Sequence, residues 1–349
     1  MIIYSKNDET LGAFGKIATP LKMIIEHESD VLSKKGGICD WLFNVEKSSR
    51  FGETIITESE FDVFRATVEG AGAMNDEIRE VNRKFIEHIQ FMKEFIVSAE
   101  MMEDAINGIA QDAKRRAENF VRSYYKTINK ICEFAIINST VSTATFAGAR
   151  LDLSTHDNCA VFSGNHTTSY GKTQSNYYWG DIIAKTSGAS REASTAVFDE
   201  ALAKLSVIFR NMKDENGDIL GYTPDTLIIP GNNSKLESIV KKVCGSENVP
   251  GSSYNDLNLH YGNWNIVILP NWAPTDSRLI LMSSEANKNL SGNMFFNRVP
   301  LTITNWVDHH TGNYIWNGRC RFGVGFGTYK HMMLAVDSEK SITAATKLD

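Results

Sequence analysis

Regularly spaced hydrophobic residues predict a small α/β unit in the second half of the chain. Apolar side chains recur every three or four residues over 198–212, which predicts an amphipathic helix. A Ser-x-x-Glu capping box at 234–237 predicts a second, short helix that ends near Val243. Three short apolar runs predict buried strands, namely TLIIP (226–230), WNIVILP (264–270) and RLILM (278–282). Strands that alternate with helices in this way are typical of an α/β unit.

The longest periodic pattern lies between Ile106 and Ala135. Apolar residues there are separated by steps of three and four, which predicts one helix about 45 Å long at 1.5 Å per residue. The opposite face of this helix carries Lys and Arg side chains. The preceding residues 85–97 are rich in Phe and Ile, and periodicity leaves both a strand and a helix open for them.

A polar ribbon is predicted over residues 50–72. Thr, Ile, Phe and Val alternate loosely with Glu, Asp and Arg, a pattern that favours two β-strands closing at Gly70–Gly72. The ribbon has too few apolar residues to be stable alone, because an isolated hairpin is marginal in water. We therefore expect it to lie against another part of the protein or another copy of it.

The remaining stretches lack sustained periodicity. Residues 1–48 predict only one turn of helix at 21–25, within an arm that is either frayed or ordered on a neighbouring subunit. Residues 136–192 are rich in Ser, Thr, Asn and Gly and predict a long, ordered loop region. The C-terminal residues predict antiparallel strands with Gly312 and Gly318 as turn candidates.

Composition excludes several classes of protein. The 36 basic and 42 acidic residues give a net charge of −6, which argues against a dedicated DNA-binding protein. The five cysteines are scattered and form no C-x-x-C pair, which argues against a disulfide scaffold or a structural zinc site. The longest uncharged run, 134–149, is shorter than the roughly 20 residues that a membrane span needs. We expect cytosolic synthesis and no membrane partner.

Candidate catalytic and cofactor motifs fail on their spacing. The glycines within 164–172 are too far apart for a phosphate-binding loop, and those of 323–327 lack the helix of a dinucleotide fingerprint. His156, Cys159 and His166 could donate to a metal, but a carboxylate–histidine pair that would support them cannot be seen from the sequence. We predict no catalytic residue, no cofactor and no metal ligand.

The order of the predicted elements resembles the major capsid protein of tailed bacteriophages. The segment FIVSAEMMEDAINGIAQDAKRRAENF and its continuation (95–140) resemble the entry to and body of the spine helix of that fold. The stretches 159–177, 197–240 and 261–272 resemble the Mu-like phage major head subunit more closely. The resemblance covers roughly residues 85–285, and the order and spacing of the motifs carry it.

The resemblance implies an α+β fold of the Hong Kong phage type. The implied parts are an N-terminal arm (1–49), an extended β loop (50–84), a peripheral domain with the spine helix (85–197), an axial domain (198–310) and C-terminal strands that return to the peripheral domain (311–349).

The implied function is that of a shell subunit without enzymatic activity. Copies would assemble through hexamers and pentamers, in the cytoplasm of a bacterial host, into an icosahedral virion shell around double-stranded DNA that they do not bind sequence-specifically. No long helical scaffold segment precedes the arm, so we expect separate scaffold, protease and portal proteins. The expected intersubunit contacts are Phe51, Ile55, Phe61, Phe64 and Arg65 on the ribbon, and Arg115, Arg122 and Lys126 on the long helix.

The extended loop differs from that of some relatives in one respect that bears on cross-linking. Some relatives cross-link through a lysine on the extended loop, but residues 50–83 contain no lysine, so we predict no covalent cross-link. Two alternatives stay open at this point. One is an encapsulin-like compartment shell, and the other is a soluble α/β enzyme with an active site in the 159–177 loop.

Overall fold

The computed structural model describes residues 3–4, 13–58, 66–67, 69, 80–100, 111–168, 171–184, 191–248, 257–338 and 341–348. The chain divides into two compact units, each made of three segments. The first unit comprises Met1–Glu53, Ile86–Phe134 and Met294–Val324. The second unit comprises Thr54–Phe85, Ala135–Asn293 and Gly325–Asp349.

Helices and strands both occur in the described residues, so the predicted α+β class is confirmed. The helices are α1 (Ala13–Lys35), α2 (Ile38–Leu42), α3 (Gln111–Ile137), α4 (Arg191–Arg210), α5 (Ser234–Gly245) and α6 (Ser284–Asn289). The strands are β1 (Ile3–Tyr4), β2 (Asn44–Lys47), β3 (Gly52–Glu58), β4 (Glu80–Glu87), β5 (Ile89–Val97), β6 (Thr143–Phe146), β7 (Ala149–Asp152), β8 (His166–Thr167), β9 (Thr173–Gln174), β10 (Tyr177–Gly180), β11 (Thr226–Pro230), β12 (Asn265–Leu269), β13 (Arg278–Met282), β14 (Asn293–Val307), β15 (Tyr314–Phe326), β16 (Met332–Asp337) and β17 (Thr346–Lys347).

The first unit is built on a sheet with the strand order β1-β14-β15-β5, in which β2 also pairs with β14. The long strand β15 runs antiparallel to β5, with Tyr314 opposite Val97 and Phe322 opposite Ile89. This pairing resolves the ambiguity left by periodicity, because most of the Phe- and Ile-rich segment forms strand β5.

Helix α3 covers this sheet with its apolar stripe, as the spacing of hydrophobic residues predicts. Phe120 and Val121 are buried with Trp316 of β15 and with Leu21 and Ile25 of α1. Helix α1 is 23 residues long, whereas the sequence pattern predicts a single turn. The N-terminal region therefore contributes a helix to the core of the first unit.

Gly318 lies inside β15 and does not form the turn expected of it. A Cβ atom at this position would meet the Phe120 ring at 2.4 Å, so only glycine lets helix α3 approach the strand this closely. Gly312 does form a turn, with a positive φ of 69°.

The second unit contains a six-stranded sheet with the order β12-β11-β13-β16-β10-β17. All five residues of β11 are buried, and β11 pairs with β12 in parallel and with β13 antiparallel. Helices α4 and α5 add Phe198, Leu205 and Val240 to this core. The predicted strands at 226–230 and 278–282 match β11 and β13 exactly in their bounds.

Helix α5 begins one residue earlier than the Ser234–Glu237 capping box implies. The side chain of Asn233 accepts a hydrogen bond from the Leu236 backbone N–H, so Asn233 is the N-cap and Ser234 is the first helical residue. Among the helices of the described ranges, none is long and apolar enough to cross a membrane.

Candidate functional site

Strands β3 and β4 form a two-stranded sheet of their own, which we call the ribbon. The ribbon confirms the predicted β character of residues 52–58. The partner strand is 80–87, well beyond the turn predicted at Gly70–Gly72. Phe61, Phe64 and Arg65 lie outside the described residues.

The ribbon divides its apolar side chains between a buried and an exposed set. Ile55 and Ile86 are buried. A Cβ atom on Gly327 would lie only 3.2 Å from the side chain of Ile55, which shows how closely the backbone at Gly327 approaches this residue. Ile56 and Phe85, in contrast, keep 44% and 49% of their surface exposed. Of these residues only Ile55 is among the contacts predicted from the sequence. Ile56 could have been predicted as well, because successive side chains of a strand point to opposite faces and Ile56 therefore lies on the face opposite to Ile55.

Phe51 stands at the start of the ribbon with 64% of its surface exposed. Its backbone carbonyl lies 2.6 Å from Nδ1 of the buried His88, and Arg321 Nη2 donates to the same oxygen at 3.4 Å. The Arg321 guanidinium also lies 5.2 Å from the centroid of the Phe51 ring, a cation–π arrangement. The backbone is thus fixed while much of the ring remains open to solvent.

Lys84 of β4 has a buried ammonium group that joins the ribbon to the segment around β7. Its Nζ donates to Asp152 Oδ2 and to Ser154 Oγ, both at 2.6 Å. Burial raises the pKa of Asp152, but hydrogen bonds from Lys84 and Ser154 outweigh it, and the net pKa is lowered. Lys84 is the lysine that follows the lysine-free stretch 50–83, and its ammonium is engaged within the chain.

The three predicted contact residues of α3 have different surroundings. Arg115 is exposed. Arg122 donates from Nε to Glu28 of α1 at 2.6 Å, and this bond raises the pKa of its guanidinium. Lys126 is exposed at a cavity of about 470 Å³ in the first unit, which Arg122 also lines.

This cavity combines apolar and charged side chains. Trp41 and Val45 line it, and both are largely exposed. Neither residue is among those predicted from the sequence, because residues 1–48 show no period that would mark an exposed face. The structure thus brings Arg122 and Lys126 together at one cavity, and it does not place Arg115 there.

The 159–177 loop, where an active site was expected for the enzymatic alternative, contains the buried His166. His166 Nδ1 lies 2.6 Å from Asp157 Oδ2, and the His166 ring stacks on Tyr329 with a centroid distance of 3.7 Å. Burial raises the pKa of Asp157, but the hydrogen bond and charge of His166 lower it by more, so the carboxylate is ionised. His156 faces elsewhere, with Nδ1 3.0 Å from the Gly327 carbonyl oxygen.

The sequence model of the phage capsid protein family matches residues 93–333, about two thirds of the chain. The chain belongs to the phage capsid protein family. A capsid protein is a structural protein, so the predicted lack of enzymatic function is confirmed and the enzymatic rival is excluded. No curated protein matches this chain.

Solved structures similar to this capsid protein have low sequence identity. The capsid of an empty GTA particle is 13% identical, with 86% of this chain and 90% of that chain covered and a TM-score of 0.48. Mycobacterium phage Patience is 12% identical, with 99% and 95% covered and a TM-score of 0.47. A phage-related protein from Bordetella bronchiseptica RB50 is 14% identical, with 90% and 96% covered and a TM-score of 0.45. The family assignment rests on the family model.

Proposed function

We propose that this capsid protein is the major shell subunit and that its copies assemble through hexamers and pentamers into an icosahedral shell around double-stranded DNA. The observation that carries the proposal is the family match over residues 93–333. It is supported by the ribbon, which leaves Ile56, Phe85 and Phe51 exposed on a two-stranded sheet. Apolar side chains on such a narrow element gain stability when a second copy covers them.

The net charge of −6 supports a shell that encloses DNA without gripping it. Lysine and arginine on a binding face would release counterions from the phosphates and hold DNA in place.

We propose that scaffold, protease and portal are separate proteins, that assembly takes place in the bacterial cytoplasm, and that the chain is divided into arm, ribbon, peripheral and axial domains. The motifs at 159–177 and 197–240 also lead us to propose a Mu-like subfamily.

Negative-stain microscopy and light scattering of the concentrated protein test the proposal. We expect closed shells, tubes or capsomer rings, and a protein that stays monomeric at every concentration would contradict it. Absorbance at 260 against 280 nm of particles purified from infected cells should show packaged nucleic acid. Shells that instead enclose only protein would indicate a compartment of the encapsulin kind.

A denaturing gel of the same particles tests the cross-linking prediction. We expect a single band at the mass of one chain, because residues 50–83 contain no lysine and the Lys84 ammonium is engaged with Asp152. A ladder of covalent multimers would show that some other lysine forms isopeptide bonds.

A further inference from the structure

We propose that Asp157, Cys159 and His166 bind one zinc-class divalent ion per chain. A carboxylate oxygen of Asp157, the Cys159 Sγ and a ring nitrogen of His166 lie within 4.8 Å of one another, and Asp157 Oδ2 is 2.6 Å from His166 Nδ1. Tetrahedral zinc with nitrogen, oxygen and sulfur ligands places them about 3.3–3.8 Å apart, so small side-chain shifts suffice. Cysteine and histidine together favour zinc over calcium or magnesium, which prefer oxygen ligands.

The orientation of Asn176 fixes which nitrogen of His166 is available. The Asn176 amide nitrogen donates to the carbonyl oxygens of Val161, Tyr329 and Met332 at 2.7–3.2 Å. Its Oδ1 therefore faces His166 Nε2 at 3.1 Å, and the Val161 oxygen lies 3.0 Å from the same nitrogen. Because both partners accept, Nε2 must carry a proton, and the coordinating nitrogen is Nδ1.

This arrangement has the outer shell that metal-binding histidines usually have. A ligating imidazole donates its other N–H to a backbone carbonyl or carboxylate, which fixes the ring. His166 does so through Nε2, and its ring is also held flat against Tyr329 at an interplanar angle of 4°.

The remaining oxygen of Asp157 is held by its own loop. Asp157 Oδ1 accepts from Thr155 Oγ1 at 2.5 Å and from the Cys159 backbone N–H at 3.1 Å. Asn158 between the two ligands has a positive φ of 60°, so the chain reverses tightly there. Because the turn holds Oδ1 of Asp157 in this way, Oδ2 of the same carboxylate faces His166 Nδ1.

A second observation also points to a ligand. The fully buried Tyr329 hydroxyl has no hydrogen-bond partner among the described residues. Three protein ligands leave zinc a fourth position for water. A bound water there would give this hydroxyl an acceptor.

Titration of the full-length, metal-stripped protein with Co²⁺ and Zn²⁺ tests the proposal. We expect one Co²⁺ per chain with a thiolate-to-cobalt charge-transfer band, and displacement of Co²⁺ by Zn²⁺. Loss of an outer-shell partner alone costs about 10–100-fold in metal affinity, so Cys159→Ala should weaken binding at least ~100-fold and abolish the band. Zn²⁺ should raise the melting temperature of the wild type and not that of the variant.

Cys244→Ala is the matched control, because it removes a thiol elsewhere in the second unit. Circular dichroism checks that both variants are folded, and Asp157→Asn against Asp152→Asn repeats the comparison for carboxylates. The proposal is wrong if the wild type binds less than a stoichiometric amount, if Co²⁺ binds without the thiolate band, or if Cys159→Ala binds as tightly as the wild type. Metal binding is measured per chain, so its outcome is independent of whether shells form.

Discussion

The six-stranded sheet and the ribbon use apolar residues in opposite ways. In the sheet, β11 buries every residue, and Leu281 of β13 has no exposed surface. In the ribbon, Ile55 and Ile86 are buried while Ile56 and Phe85 remain about half exposed. The sheet completes its core within one chain. Among the described residues the ribbon leaves apolar surface exposed, and we propose that a second copy covers it.

The largest effect is expected in the sheet. Leu281→Ala should lower the free energy of unfolding of the unassembled subunit by about 2–5 kcal/mol, because it leaves a cavity in a closely packed core. Chemical denaturation of the wild type and the variant measures the difference. A cost below about 1 kcal/mol would show that the sheet can collapse around the cavity and is packed no better than the ribbon.

The pH dependence of stability reports on His331, which is fully buried next to the sheet. Burial lowers the pKa of His331 to about 3, while its Nε2 lies 2.7 Å from Asn293 Oδ1. Below about pH 6.5 the unfolded chain binds a proton that the folded chain does not, so stability is lost as the pH falls toward 3. We expect about 1.4 kcal/mol per pH unit from this residue.

Denaturation curves between pH 7 and pH 4 of the wild type and of His331→Gln test this slope. As the pH falls, the free energy of unfolding of the variant should decrease less steeply than that of the wild type, by about 1.4 kcal/mol per pH unit. Equal slopes would mean that His331 is charged in the folded protein.

A smaller effect is expected at the ion pair that joins β4 of the ribbon to β7. Asp152→Asn removes the charge that faces the buried Lys84 ammonium, although Asp152 is itself more than half exposed. We expect a loss of about 1 kcal/mol, because solvent screens the pair and Ser154 Oγ still accepts. Denaturation together with hydrogen exchange at residues 80–87 measures it. Unchanged protection of β4 would show that the ion pair does not anchor the ribbon.

The smallest effect on subunit stability is expected at the exposed face of the ribbon. Phe85→Ala should change the free energy of unfolding by less than about 0.5 kcal/mol but reduce the yield of assembled particles. Glu87→Ala, an exposed residue on the same strand, is the control. Normal assembly of Phe85→Ala would remove Phe85 from the set of intersubunit contacts.

The pattern of hydrophobic residues was sufficient to predict the strands whose residues are almost all buried. Strands β11 and β13 were predicted to the residue because each is a short apolar run. Helix α1 was underpredicted because Gly15 and Pro20, which normally interrupt helices, lie within its bounds. Contacts distant in sequence decide the rest.

The candidate sites depend on such distant contacts. Gly318 could not be recognised as a strand residue from sequence, since its role depends on Phe120 nearly two hundred positions earlier. The group of potential metal ligands around His166 could be predicted only in part from the sequence. His156, Cys159 and His166 were singled out, but the left-handed turn at Asn158 brings Asp157 to the group, and His156 contacts Gly327 instead.

The close fit of Phe120 against Gly318 also limits how the first unit can deform. The Phe120 ring occupies the space that a side chain at position 318 would take. Helix α3 therefore cannot slide along the sheet unless this ring first moves away from Gly318. Bending of the helix or of the strands keeps the ring seated. The curvature of the helix and of the strands can therefore change while the position of helix α3 on the sheet stays the same.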